Sequence, residues 1–209
     1  MYSDSRNPFG LLNGQLVTIN DVSSGLSCGC LCPQCKQPLV ARKGDQKIHH
    51  FSHHKKTDCS GGLETALHIK SKEIFLKHKA IMLPAVPGQL SLKRTVHRYP
   101  SNCGPWMLRG RCYSVSEQII NQFFYESVFI ESKIGSIRPD VVLFGDRPFV
   151  IELYVTHKTG FEKIREIKKL GLFGVEIDLR YLRRLDLLDE KLIENAVIHC
   201  THTKKWISV

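Results

Sequence analysis

Apolar and polar positions along the chain fall into segments whose spacing changes from one stretch to the next. After Ser60-Gly-Gly, residues 63–82 read LETALHIKSKEIFLKHKAIM, with Leu63, Ala66, Leu67, Ile74 and Ile81 on one face and Pro84 ending the run. That spacing predicts a helix over 63–82 with Ser60 as N-cap. Glu64, His68 and Lys72, at i, i+4 and i+8, share a different face of it. In the second half, short continuous apolar runs take over. Residues 127–132 (SVFIES) predict a strand. Val141-Val-Leu-Phe144 and Phe149–Val155 flank a Gly-Asp-Arg-Pro turn and predict an antiparallel hairpin. Counting back from the turn places Asp140 opposite Glu152 or Leu153. An amphipathic helix is predicted at 161–170 through Phe161, Ile164, Ile167 and Leu170, stopped by Gly171 or Gly174. A strand at Val175–Leu179 and a helix at 186–197 follow. The order is that of a mixed α/β core with a central sheet.

The N-terminal stretch shows a different signature. Residues 28–35 read CGCLCPQC and residues 49–54 read HHFSHH. Cys32-Pro-Gln-Cys35 is a C-x-x-C knuckle, a tight turn that aims two thiolates at one point, and His50-x-x-His53 can supply two more ligands for a tetrahedral zinc ion. Between them, a strand from Pro38, a turn at Lys43-Gly-Asp and a return through Lys47-Ile-His predict a hairpin that carries the histidines back to the knuckle. This is a zinc-ribbon-like module. Cys28, Cys30, His49, His54 and Cys59 are surplus to a four-ligand site. Each is a replacement ligand, a ligand of a second ion, or a free thiol or solvated imidazole.

Charge adds a partner class. The 209 residues carry a net charge of +10, and all of the excess lies in residues 1–111, with 16 Lys/Arg against 6 Asp/Glu; residues 112–209 hold 14 of each. Such a field favours a polyanion, nucleic acid before acidic membrane. Arg42, Lys43, Lys47, Lys72, Arg94 and Arg98 are the candidate nucleic-acid contacts. The Pro-containing basic insert at about 84–115, with Tyr99 and Trp106 among its cations, reads either as a basic-aromatic nucleic-acid loop or as a strand pair with a buried Trp. No apolar run is long enough to span a membrane, and the start lacks a basic region followed by an apolar core. A cytoplasmic, reducing location is the resulting expectation, in which closely spaced cysteines serve metal binding rather than disulfides.

Asp140 and Glu152 sit inside apolar strand sequences, where a carboxylate is costly unless paired or metal-bound. Two such acids converging would hold Mg²⁺ or Mn²⁺ for phosphodiester hydrolysis.

Taken in order, three blocks resemble the competence protein CoiA-like family: Cys32-Pro-Gln-Cys35 through Leu39-Val-Ala-Arg-Lys-Gly44 to His50-Phe-Ser-His53; Glu64-Thr-Ala-Leu-His68 with Lys72; and Arg138-Pro-Asp-Val-Val, Ile151-Glu-Leu-Tyr-Val-Thr-His157, Glu162-Lys163 and Val175-Glu-Ile-Asp-Leu179. The resemblance implies a zinc-ribbon-like module at 1–59 and a PD-(D/E)xK restriction-endonuclease-like core at 60–209, a mixed central sheet flanked by helices. It implies that Pro139-Asp140 is the "PD" element, Glu152 the acid of "(D/E)xK", and Glu64 the acid of the first core helix, with His68 and Lys72 matching that helix's pattern. The implied function is Mg²⁺-dependent DNA hydrolysis, in DNA uptake, mobile-element or defence processing. One position departs from the pattern: the motif lysine falls at Tyr154, which carries no positive charge near neutral pH. Lys72, His157, Lys158 and Lys163 are the candidate replacement cations. The alternatives are a weak or inactive DNA-binding partner that retains the fold, and a zinc-organised protein–protein adaptor.

Overall fold

The computed structural model describes residues 7–87, 121–185 and 188–209. They divide into two compact units, one of residues 1–73 and 179–193, the other of residues 74–178 and 194–209. The expected border near residue 60 therefore falls inside the first unit, which continues through most of the helix and takes back a later segment.

The first unit opens with a hairpin, β1 (Phe9–Leu12) and β2 (Gln15–Thr18), whose two-residue turn is Asn13-Gly14. Both turn residues have positive φ, 52° and 80°, the backbone that a tight antiparallel connection needs and that Asn-Gly supplies. Thr18 and Asp21 then cap a single 3₁₀ turn through side-chain and backbone bonds to the Asp21 carboxylate. A second hairpin pairs β3 (Leu39–Arg42) with β4 (His50–His53). The hairpin is the expected one, but its return strand begins at His50, past the Lys47-Ile-His segment. Ile19, Cys28, Cys30, Cys32, Leu39, Ala41 and Phe51 form the unit's core. Helix α1 (Gly62–Lys77) starts here, burying Leu63, Ala66 and Leu67.

In the second unit α1 ends, five residues before the predicted stop. Ala80–Leu83 is instead strand β5, paired with β6 (Asn121–Phe124). The predicted helical continuation is overridden because Ile81 and Leu83 alternate inward on a pleat and β6 satisfies the backbone. The main sheet has five strands: β7 (Ser127–Ile130), β8 (Val141–Phe144), β9 (Pro148–Tyr154), β10 (Phe173–Asp178) and β11 (Lys204–Ser208), in the order β11-β10-β9-β8-β7. β7, β8 and β9 run antiparallel in turn, β9 and β10 are parallel, and β10 and β11 are antiparallel. This is a mixed α/β arrangement.

The parallel pair is joined through α2 (Phe161–Lys169), whose Ile167 packs with Ile137, Val150, Leu172 and Ile207 while Ile164 covers the edge of that cluster. Phe161, expected on the buried face, is 75% exposed because it opens the helix beyond the sheet contact. At the other end Gly171, φ 65°, closes a Schellman motif: its N–H reaches the Lys168 carbonyl, and that of Leu172 reaches Ile167. The predicted helix at 186–197 is a short α3 (Glu190–Glu194) followed by a π turn over Asn195–His199. Strand β11, absent from the sequence reading, supplies the buried Lys204. Its ammonium donates to the Cys200 carbonyl at 2.6 Å and approaches those of Ala196 and Ile198 at the end of that turn. Among the described residues no helix is long and apolar enough to cross a membrane.

Candidate functional site

Among the described residues, two clusters of candidate functional groups stand out, one in each unit. In the first, the Cys32–Cys35 knuckle is shaped by backbone bonds from Lys36 N–H to the Cys32 carbonyl and from Cys32 N–H to that of Gln37. Lys36 takes positive φ, 60°, to make the turn. Cys32, Cys35, His53 and Cys59 place one donor atom each within 4.8 Å of all the others. Cys35 Sγ lies 3.3 Å from His53 Nε2, and Cys32 Sγ lies 3.8 Å from Cys59 Sγ. Two thiolates bound to one zinc at ~2.3 Å in tetrahedral geometry stand about 3.8 Å apart, so the Cys₃His donor set and its spacing both fit zinc. Next to it is a cavity of about 40 Å³ lined in part by Cys32, His53 and Cys59. Burial pushes the Cys32 thiol up to about 11, which bound zinc would reverse.

One expected ligand is replaced. His50 donates from Nδ1 to the Ile48 carbonyl and is no part of the cluster. The cause is strand periodicity: His50 and His53 are three apart on β4, so they face opposite sides, and His53 shares the inward side with buried Phe51. Cys59 supplies the fourth donor. The surplus residues also sort themselves. Cys28 and Cys30 are core thiols, hydrogen-bonded to the Leu39 and Cys28 carbonyls, and burial pushes the Cys30 thiol up to about 12. His49 and His54 are exposed.

Of the candidate phosphate contacts, Lys47 is exposed, Arg42 donates to Ser52 Oγ, and Lys43 donates to the Val22 carbonyl. Glu64, His68 and Lys72 lie half-buried at successive turns of α1, within the first unit. Arg94 and Arg98, with most of the basic insert, lie outside the described residues.

In the second unit the sheet aligns carboxylates. Val141 pairs with Ile151, so extending the antiparallel register by one residue sets Asp140 against Glu152. Across the parallel pair, Glu176 is the in-register partner of Glu152. Residues directly opposed in a ladder share a face, so three successive strands present acids in a row. Asp140 Oδ2 accepts the Leu153 N–H at 2.9 Å, and Glu176 Oε2 accepts the Thr159 N–H at 2.8 Å. Glu152 is buried, and the Lys163 ammonium of α2 lies 2.7 Å from Oε1 and 2.8 Å from Oε2. The hydrogen bond is directed at Oε2; Oε1, though ion-paired to Lys163, is buried with no hydrogen-bond partner among the described residues. Burial pushes the Glu152 carboxyl up to about 7; Lys163 opposes that rise, and the charges of Asp140 and Glu176 add to it.

Tyr154, two residues along β9 from Glu152, shares its face, and the Lys158 ammonium stands 5.9 Å over its ring. His157 is exposed and contacts Thr156 Oγ1. Of the candidate cations within this unit, Lys163 is therefore the one on the acid. Glu131, a further acid near the hairpin, is exposed just past β7. Glu176 was not singled out by sequence reasoning; its signal was a lone acid within the apolar run Val175–Leu179, the same pattern that marked Glu152.

These features define a mixed α/β chain with a small N-terminal module organised by a Cys₃His cluster. Residues 26–62 match the family described as competence protein CoiA, N-terminal domain. The match bears out the resemblance to the CoiA-like family over the Cys₃His segment and ends at Gly62, before the carboxylate sheet. No curated protein and no solved structure matches the chain.

Proposed function

We propose that this competence-related chain is a divalent-cation-dependent nuclease that hydrolyses DNA phosphodiester bonds at the Asp140–Glu152 centre. The observation that carries the reading is the Lys163 ammonium seated on the Glu152 carboxylate. A lysine beside the second acid is what the PD-(D/E)xK pattern requires, and α2 delivers one although the strand position is Tyr154. Asp140 and Glu152 offer hard oxygen donors, and Oε1 of Glu152, ion-paired to Lys163 at 2.7 Å, is a buried acceptor that could also turn to a cation. Mg²⁺ or Mn²⁺ held there would polarise the scissile phosphate and lower the pKa of an attacking water. Lys163 orients that water and offsets the negative charge that develops on the phosphate. Glu152 needs the same lysine to stay ionised in its buried position. The basic excess of residues 1–111 favours the DNA backbone without reading sequence.

Cleavage of supercoiled plasmid with Mg²⁺ or Mn²⁺ tests this, using Glu152→Gln and Asp140→Asn as near-isosteric controls. Loss of cleavage in both variants is the expected result; equal cleavage by wild type and Glu152→Gln overturns the assignment. Tyr154 favours a second reading, a DNA-binding partner without chemistry. Salt-sensitive DNA binding with no cleavage under either metal selects it.

A further inference from the structure

Glu152 and Glu176 stand side by side on β9 and β10, and both are at least nine-tenths buried. Their carboxylates receive donors from one stretch of chain. Glu152 takes the Lys163 ammonium, and Glu176 takes the Thr159 backbone N–H at 2.8 Å. Thr159 and Lys163 are four residues apart, about one helical turn, and the helix begins between them at Phe161. Its N-cap residue is Gly160, whose lack of a side chain leaves the entry of α2 without the usual cap. Glu176 of the neighbouring strand does not replace that cap; it holds the residue just before it, through the Thr159 N–H, and a carboxylate near this end also suits the positive end of the helix.

We infer that Glu176 is a positioning residue, holding the Thr159–Gly160 entry of α2 so that Lys163 is set on Glu152. Its consequence for DNA cleavage rests on the nuclease reading; the positioning itself does not. Two substitutions separate reach from charge. Glu176→Gln keeps an oxygen at the same length and loses the charge. Glu176→Asp keeps the charge and falls short of the Thr159 amide.

The full-length variants are given a brief pulse of an amine-acetylating reagent, and labelling of Lys163 is read by peptide mass spectrometry against the exposed Lys169 as internal reference. Plasmid cleavage with Mn²⁺ is measured in parallel. Glu176→Gln is expected to protect Lys163 as wild type does and to keep cleaving. Glu176→Asp is expected to raise Lys163 labelling at least about fivefold, as local opening would, and to lower kcat about tenfold with KM for DNA unchanged. Wild-type labelling in Glu176→Asp, or equal exposure in both variants, overturns the inference. If wild type itself does not cleave DNA, the nuclease reading falls and the labelling contrast still decides the role of Glu176.

Discussion

Cys59 follows β4 by six residues, and its sulfur lies 3.8 Å from that of Cys32 and within 4.8 Å of the His53 donor atom. Zinc content is thus expected to be one ion per chain in wild type and in His50→Ala, and to fall in Cys59→Ala; atomic emission on purified protein reads it. In the second unit, Tyr154 and Glu152 face the same way on β9, so a lysine introduced at 154 would stand where the family pattern has one. Lys163→Ala is expected to abolish most cleavage. Adding Tyr154→Lys to it is expected to recover at least about tenfold of the lost rate, since an ammonium beside the acid restores the charge stabilisation. A double variant no better than Lys163→Ala would deny that the two lysines are interchangeable. These residue choices were partly visible in the sequence: the knuckle, Asp140 and Glu152 each carried a spacing or a polarity that marked them. The choice of Cys59 over His50, and of Lys163 among four cations, depended on where a strand face and a helix turn lie in space.

Helix α2 is the element on which the acid centre depends, because it brings Lys163 to the sheet. It is short, held by Ile164 and Ile167 against the sheet and closed by Gly171 in the left-handed region. A β-carbon at Gly171 meets no neighbour, so Gly171→Ala tests backbone strain alone. It is expected to cost about 1 kcal/mol, measured by urea unfolding, with no change in Lys163 placement if the Thr159 clamp holds the other end. Helix α1 shows the opposite relation between sequence and element. Its residues past Lys77 have helical spacing, yet Ala80–Leu83 pairs with β6, a partner distant in sequence. Long-range pairing of that kind leaves no local periodicity to read, which is also why β11 went unseen.

Over the whole molecule, the proposed cation would compete with protons for the Glu152 carboxylate. Glu152 has its folded pKa raised from the ordinary 4.5 to about 7. Between those values the folded chain holds a proton that the unfolded chain has released. Its contribution to stability is therefore full below about 4.5 and lost as pH rises through about 7. The proposed divalent cation would bind the ionised form, so Mn²⁺ is expected to raise the melting temperature more at pH 8 than at pH 6. Thermal melts at the two pH values check it, and equal shifts would place the cation away from Glu152.

The sequence by itself determined what local chemistry can encode: a thiolate knuckle, a hairpin with acids in apolar strands, an amphipathic α2 with its glycine stop, and a net charge of +10 concentrated in residues 1–111. Only the tertiary structure decided which groups meet. Face alternation on β4 removed His50 from the cysteine cluster, strand register set Glu176 beside Glu152, and the turn entering α2 put Lys163 on Glu152. The physical reason is the same in each case. Spacing along the chain fixes a side chain's direction within its own element, while the partner it meets is fixed by how strands pair and where the next helix docks.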